Sequence, residues 1–137
     1  MKESVLKSKS YAFALRVVKL YRYLSSQKEY VLSKQVLRSG TAVGALVSEA
    51  EFGQSKADFI SKLSIALKEA NETRYWLSLL RDSSYIDQKM YDSISPEIEE
   101  LIRMLVSSIK IAKRNREEKK MVLWSNTYSH FSLYLIQ

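Results

Sequence analysis

The chain has 137 residues, of which 46% are hydrophobic and 27% charged, with a formal net charge of +7. This length and composition indicate one folded domain and exclude a disordered chain. With 3 Gly, 1 Pro and no Cys, we expect a helical fold without disulfides or thiolate metal sites. No signal peptide is recognisable and no apolar run approaches the ~18 residues of a membrane span, so we expect a cytoplasmic protein without membrane contacts.

Helical spacing of apolar residues predicts a first helix over residues 8–26, with a buried face of Phe13, Val17, Leu20 and Leu24. The opposite face carries four bases and one aromatic residue: Lys9, Arg16, Lys19, Arg22 and Tyr23. A basic face that includes an aromatic side chain can contact phosphates and stack a base. The alternative is that these cations only keep the face solvated.

A second helix is predicted over residues 32–52, and its apolar seam consists of Val36, Gly40, Val43, Val47 and Ala50. Small residues four apart form an adjoining strip of Gly40, Gly44 and Ser48. Such a strip permits close backbone approach by a neighbouring helix. Gly53 is the expected C-terminal cap of this helix, and Ser55 the expected N-cap of the next.

The third helix is predicted over residues 55–83, a stretch without Gly or Pro. Its heptad seam consists of Phe59, Leu63, Ala66, Ala70, Thr73, Leu77 and Leu80. This spacing is typical of a helix that lies nearly parallel to its neighbours in a bundle. A second apolar stripe of Ile65, Trp76 and Leu79 predicts contact with another subunit.

An ion pair is predicted between the second and third helices. The short connection at residues 53–55 sets an antiparallel register that places Arg38 opposite Glu69, with Glu72 one turn away. Because no nucleophile or general base accompanies these carboxylates, we interpret the group as structural rather than catalytic.

We expect a turn at residues 83–87, followed by a short helical turn at 88–94. A fourth helix should then begin with Ser95 as its N-cap and Pro96 in its first turn. The alternative is one helix kinked at Pro96. The predicted seam is Ile98, Ile102, Leu105, Ile109 and Ala112, and the basic end carries Lys110, Lys113, Arg114 and Arg116. In an antiparallel bundle we expect Lys9 to approach Lys113 and Arg114, so that the first and fourth helices share a basic flank.

The last segment, residues 121–137, is aromatic and apolar without a clear helical period. Packing on the bundle, a short strand and a disordered extension all remain open. We therefore expect a bundle domain at residues 1–120 and a C-terminal extension of unknown structure at 121–137.

Few residues are suited to catalysis. His130 is the single histidine, there is no Cys, and no Glu-x-x-His sequence of the kind that binds two metals in bundles is present. We expect no catalytic residue, no metal, no cofactor and no enzymatic activity.

Two motifs resemble those of the 23S rRNA intervening-sequence protein family: RSGTAVGALVSEAE at residues 38–51 and SKADFISKLSIALKEANETRYWLSLL at 55–80. The resemblance implies an all-α, antiparallel up-and-down four-helix bundle that assembles into a ring-like homopentamer. Some family members are encoded within rRNA insertions, and one relative assists a retroelement reverse transcriptase. RNA, a reverse transcriptase and a ribosomal component are therefore the partners that the resemblance suggests.

We expect a non-catalytic, homo-oligomeric protein that binds nucleic acid, specifically structured RNA or a ribonucleoprotein, through the basic flank. The alternative is a scaffold or accessory subunit that binds only protein. Retention of RNA at low salt discriminates between the two.

Overall fold

Four helices account for almost all of the computed structural model, which describes residues 4–136 apart from the side chains of 131–134 and 136. They are α1 (Val5–Ser26), α2 (Leu32–Glu51), α3 (Lys56–Asp82) and α4 (Gln88–Ile136). Each helix packs against the next along the chain, and α1 also packs against α4. The predicted all-α, antiparallel four-helix bundle is therefore confirmed.

The buried residues follow the predicted seams with two shifts. In α3 the first buried position is Ile60, while Phe59 packs only at the edge of the core. In α4 Leu101 is buried and Ile102 lies at the edge. A straight α-helix drifts by about 20° per heptad relative to a strict seven-residue repeat, so the first position of the long α3 seam moves from Phe59 to Ile60. Leu101 and Ile102 both stand three or four residues from the buried Ile98 and Leu105, so the spacing alone fits either of them.

The small-residue strip of α2 brings this helix against the backbone of α1. A methyl group at Gly44 would lie 3.1 Å from the carbonyl oxygen of Ser10, and one at Gly40 would lie 2.8 Å from a methyl carbon of Val17. Both contacts are tighter than side chains normally tolerate, so a larger residue at either position would require the neighbouring atoms of α1 to shift. The predicted close approach of a neighbouring helix is confirmed.

The helix ends differ from the prediction at α1 and α2. The first helix begins at Val5 rather than residue 8, because the Ser4 hydroxyl accepts a hydrogen bond from the Lys7 N–H at 3.4 Å. Phe52, not Gly53, caps α2, and no described glycine has a positive φ. Ser55 caps α3 as predicted, through a 3.1 Å bond from the Asp58 N–H.

An internal carboxylate takes the place of an N-cap side chain in α2. The Glu29 carboxylate, on a residue only 7% exposed, accepts hydrogen bonds from the N–H groups of Val31 (3.1 Å), Leu32 (2.9 Å) and Ser33 (2.6 Å). Burial acts to raise the pKa of Glu29, but the backbone hydrogen bonds outweigh it and hold the pKa below its ordinary value. The carboxylate thus satisfies three N–H groups that no helical carbonyl can reach.

The fourth helix is continuous through Pro96, so the alternative of a single helix applies and Ser95 does not start a new one. The helix begins at Gln88, eight residues before Pro96. At this start the Asp87 carboxylate accepts a hydrogen bond from the Met90 N–H at 2.8 Å. Pro96 is solvent-exposed, so water can reach the carbonyl that loses its N–H partner.

The C-terminal segment is also part of α4, which continues to Ile136. Met121, Trp124, Tyr128 and Leu135 are spaced by three, four and seven residues, a heptad pattern that the sequence interpretation overlooked. The helical period is obscured by apolar residues outside this pattern, such as Val122 and Leu123.

Replacing Glu29 with Ala should lower the free energy of unfolding by about 1–3 kcal/mol at neutral pH, because buried N–H groups lose their acceptor. The folded pKa of Glu29 lies below its ordinary value, so this stabilisation is fully present above the ordinary pKa and disappears as the pH falls through the folded pKa. Urea denaturation of the wild type and variant at pH 7 and pH 3 measures the difference. Glu118→Ala, at an exposed site in α4, is the control. A difference that is unchanged at pH 3 would contradict the role of the charge.

Replacing Gly44 with Val should destabilise the bundle by about 1–3 kcal/mol, because the added atoms meet the Ser10 carbonyl and push α1 away. Ala45→Val places the same β-branched side chain on the exposed face of the same helix and is the control for a valine in this helix away from α1. Thermal denaturation of both variants provides the comparison. Equal losses of stability in the two variants would show that the close approach is unimportant.

Candidate nucleic-acid interface

The charge of α4 is divided along its length. Three acidic residues, Glu97, Glu99 and Glu100, lie in the half that packs in the bundle. Bases predominate further along, in a group named here the distal basic segment: Lys110, Lys113, Arg114, Arg116, Lys119 and Lys120. The two halves therefore present opposite charges to their surroundings.

The acidic half of α4 is tied to its two neighbouring helices by ion pairs. Lys9 of α1 bonds Glu100, and Arg16 bonds Glu97 at 2.7 Å. Arg74 of α3 approaches Glu99 at 3.4 Å. These side chains are partly exposed, so each pair contributes no more than about 1 kcal/mol, but together they define how α4 is aligned.

This alignment corrects the predicted basic flank. Lys9 faces Glu100 rather than Lys113 and Arg114. Residue 113 is thirteen positions further along α4 than Glu100, or about 20 Å at the helical rise, and it lies past the start of α1. The structure therefore separates the bases of α1 from those of α4, and two of the former, Lys9 and Arg16, are neutralised by glutamates.

The distal basic segment lies where α4 leaves the bundle. Ala112, 4% exposed, is the last buried residue among those described in α4, and the bases after it are exposed except for the half-buried Arg116. In the described part of the chain, the segment takes part in a single ion pair, between Lys120 and Glu117 at 3.7 Å. The site predicted from the sequence did not include Lys119 and Lys120, although they belong to the same run of bases.

The Arg38 cluster has the geometry that the antiparallel register predicts. The Arg38 guanidinium bonds Glu69 at 3.2 Å and also bonds Glu72. The hydrogen bond from Arg38 holds the pKa of Glu72 below its ordinary value, and the same bond raises the pKa of Arg38. Glu72 also accepts a 3.3 Å bond from the Trp76 indole N–H. Every group of this cluster has a partner within the subunit, as a structural ion pair requires.

The second stripe of α3 is only partly exposed. Ile65 is 42% exposed, whereas Leu79 is half-buried and Trp76 packs against the edge of the core. Tyr75 is exposed beside the indole and meets it edge-on, with ring centroids 5.1 Å apart. Ile65 is therefore the most exposed residue of the predicted stripe, and Tyr75 lies outside that stripe.

The end of α4 exposes apolar and aromatic side chains. We name residues 121–136 the apolar arm, whose exposed large side chains include Met121, Val122, Leu123, Trp124, Tyr128 and Leu135. The rings of Trp124 and Tyr128 stack with centroids 5.4 Å apart. No helix among the described residues is long and apolar enough to cross a membrane.

Metal-binding groups are not clustered in the described part of the chain. His130 is exposed on the apolar arm, and no three His, Cys, Asp or Glu side chains are arranged to hold an ion.

These helices define an all-α bundle whose last helix extends beyond the bundle and carries a basic segment. The family model of the 23S rRNA-intervening sequence protein matches residues 2–107, and the chain belongs to that family. The recognition from the two sequence motifs is therefore confirmed. A search of curated proteins found no match.

Among solved structures, the chain is similar to a protein of unknown function from the S23 ribosomal protein family of Bacteroides thetaiotaomicron. The two share 56% sequence identity with a TM-score of 0.76, over 77% of this chain and 99% of the other. The family match ends at residue 107, so the distal basic segment and the apolar arm lie outside it.

Proposed function

We propose that this chain is a non-catalytic, homo-oligomeric protein that binds structured RNA or a ribonucleoprotein through the distal basic segment. The observation that carries the proposal is the excess of exposed bases at the point where α4 leaves the bundle. The name of the family, which refers to 23S rRNA, supports RNA as the nucleic acid.

The dimensions of the segment suit a phosphate backbone. Residues 110–120 extend over about 15 Å of helix, a length in which one strand of a duplex presents about four phosphates. Exposed Lys and Arg side chains that replace condensed counterions gain affinity by releasing them. Contacts of this type recognise the backbone and its shape, with little dependence on base sequence.

Assembly of several copies would strengthen this contact. The exposed Ile65 and the partly exposed Trp76 lie on the same side of α3 and offer an apolar contact, and the resemblance to the family suggests a pentamer. A ring would present several distal basic segments to one RNA, which raises avidity without any new type of contact.

The double variant Lys113→Glu/Arg114→Glu should bind a structured RNA hairpin at least about tenfold more weakly than the wild type, because two contacts become repulsive. The slope of log affinity against log salt should decrease by about two. Fluorescence anisotropy over a salt series, from about 50 mM upwards, measures both quantities.

Lys34→Glu/Lys68→Glu is the matched control, because it changes the net charge equally at exposed sites of α2 and α3. It should retain most of the affinity. Equal loss in the two double variants would mean that only the net charge matters. A wild type that does not retain RNA at about 50 mM salt would contradict the proposal.

The apolar arm favours a second candidate, a scaffold or accessory subunit that binds protein. A helix that makes no tertiary contact is marginally stable in water, and exposed apolar seams are typical of helices that pair with a partner. A reverse transcriptase or a ribosomal component is the partner that the family resemblance suggests. This function replaces the first if the wild type fails to retain RNA.

A further inference from the structure

A groove of about 430 Å³ lies between α1 and α4, at the end of the bundle where α1 ends and α4 begins. Its floor is apolar and includes Leu20, Ile86 and Ile94, all buried. Tyr23, 40% exposed, and the half-buried Met90 form its walls. This volume is within the range of about 300–1,000 Å³ that is usual for ligand pockets.

The groove exists because α1 and α4 separate at this end. The glycines of α2 hold α1 against α2, and α1 packs less extensively on α4 than on α2. The contacts of Arg16 with Glu97 and Ser93 close the seam further along. Beyond Arg16 no ion pair joins α1 to α4 within residues 4–136.

The rim of the groove is positively charged. Lys19 of α1 and Lys89 of α4 both line it, and neither takes part in an ion pair or hydrogen bond within the described structure. The one acidic lining residue, Asp87, accepts the Met90 N–H and so is engaged at the start of α4. The two lysines thus provide cations on two sides of an apolar floor.

We propose that this groove binds one nucleotide of single-stranded RNA, with the base against Tyr23 and Met90 and the flanking phosphates against Lys19 and Lys89. The proposal rests on the proposed function and adds a second RNA contact, distinct from the distal basic segment. Stacking on an aromatic side chain together with cations along the backbone is how single strands are bound without strong sequence preference. An apolar side chain from a protein partner would fill the floor but would leave both lysines without a counter-charge.

The test uses the full-length chain and a short oligouridine that carries one 5-iodouridine and a fluorescent label. Tyr23→Leu keeps an apolar side chain but removes the ring, and should weaken oligouridine binding about tenfold. Lys19→Gln/Lys89→Gln should weaken it by a similar factor and reduce the salt slope by about 1.4, since each phosphate contact to a single strand contributes about 0.7. Lys34→Gln, at an exposed site near the same end of the bundle, is the control and should have little effect.

Photocrosslinking locates the contact directly, and the expected crosslink is in the peptide that contains Tyr23. Binding of the structured hairpin through the distal basic segment should be nearly unaffected by Tyr23→Leu. If the hairpin binds but Tyr23→Leu binds oligouridine like the wild type, or all crosslinks map elsewhere, the groove proposal is overturned and the proposed function stands. If the wild type binds neither RNA, both are overturned.

Discussion

The close approach of α1 and α2 at Gly40 and Gly44 is the constraint on which the arrangement of the helices depends. At Gly44 no side chain separates α2 from the Ser10 backbone, and at Gly40 the Val17 side chain packs directly on the α2 backbone, so α1 lies close to α2. This leaves the seam between α1 and α4 as the looser side of the bundle. The seam is held by ion pairs over part of its length and opens into a groove at the end near Tyr23.

The two halves of α4 have different physical roles. The first half contributes Ile98, Leu101 and Leu105 to the core, and burial of such side chains contributes about 1.5–3 kcal/mol each. Its glutamates align α4 with α1 and α3 through partly exposed pairs that add little stability. In the second half, none of the described residues after Ala112 is buried, so its bases remain available to an external anion.

The fold could be predicted from the sequence because it depends on short-range patterns. Heptad spacing identified most buried residues of α1, α2 and α3, and the short turn before Ser55 determined the register that brings Arg38 to Glu69 and Glu72. Both features depend on residues that are close in the chain or joined by a tight connection.

The candidate site could be predicted only in part, because it depends on where α4 begins. A start at Pro96 would place the basic end of α4 beside the start of α1. The helix begins instead at Gln88, eight residues earlier, which moves its alignment by about 12 Å and brings Glu97 and Glu100 to the bases of α1. The groove was not predicted, because its lining comes from two helices that are distant in sequence.

The division of roles in α4 is tested most directly by hydrogen–deuterium exchange with and without a structured RNA hairpin. Without RNA, amides of residues 117–130 should exchange rapidly because every side chain in this part of the helix is exposed, while those of the buried seam of α3 exchange slowly. Addition of RNA should slow exchange at residues 110–120 and leave the α3 seam unchanged. Bound RNA that protects only the bundle helices, with no change at residues 110–120, would contradict the account.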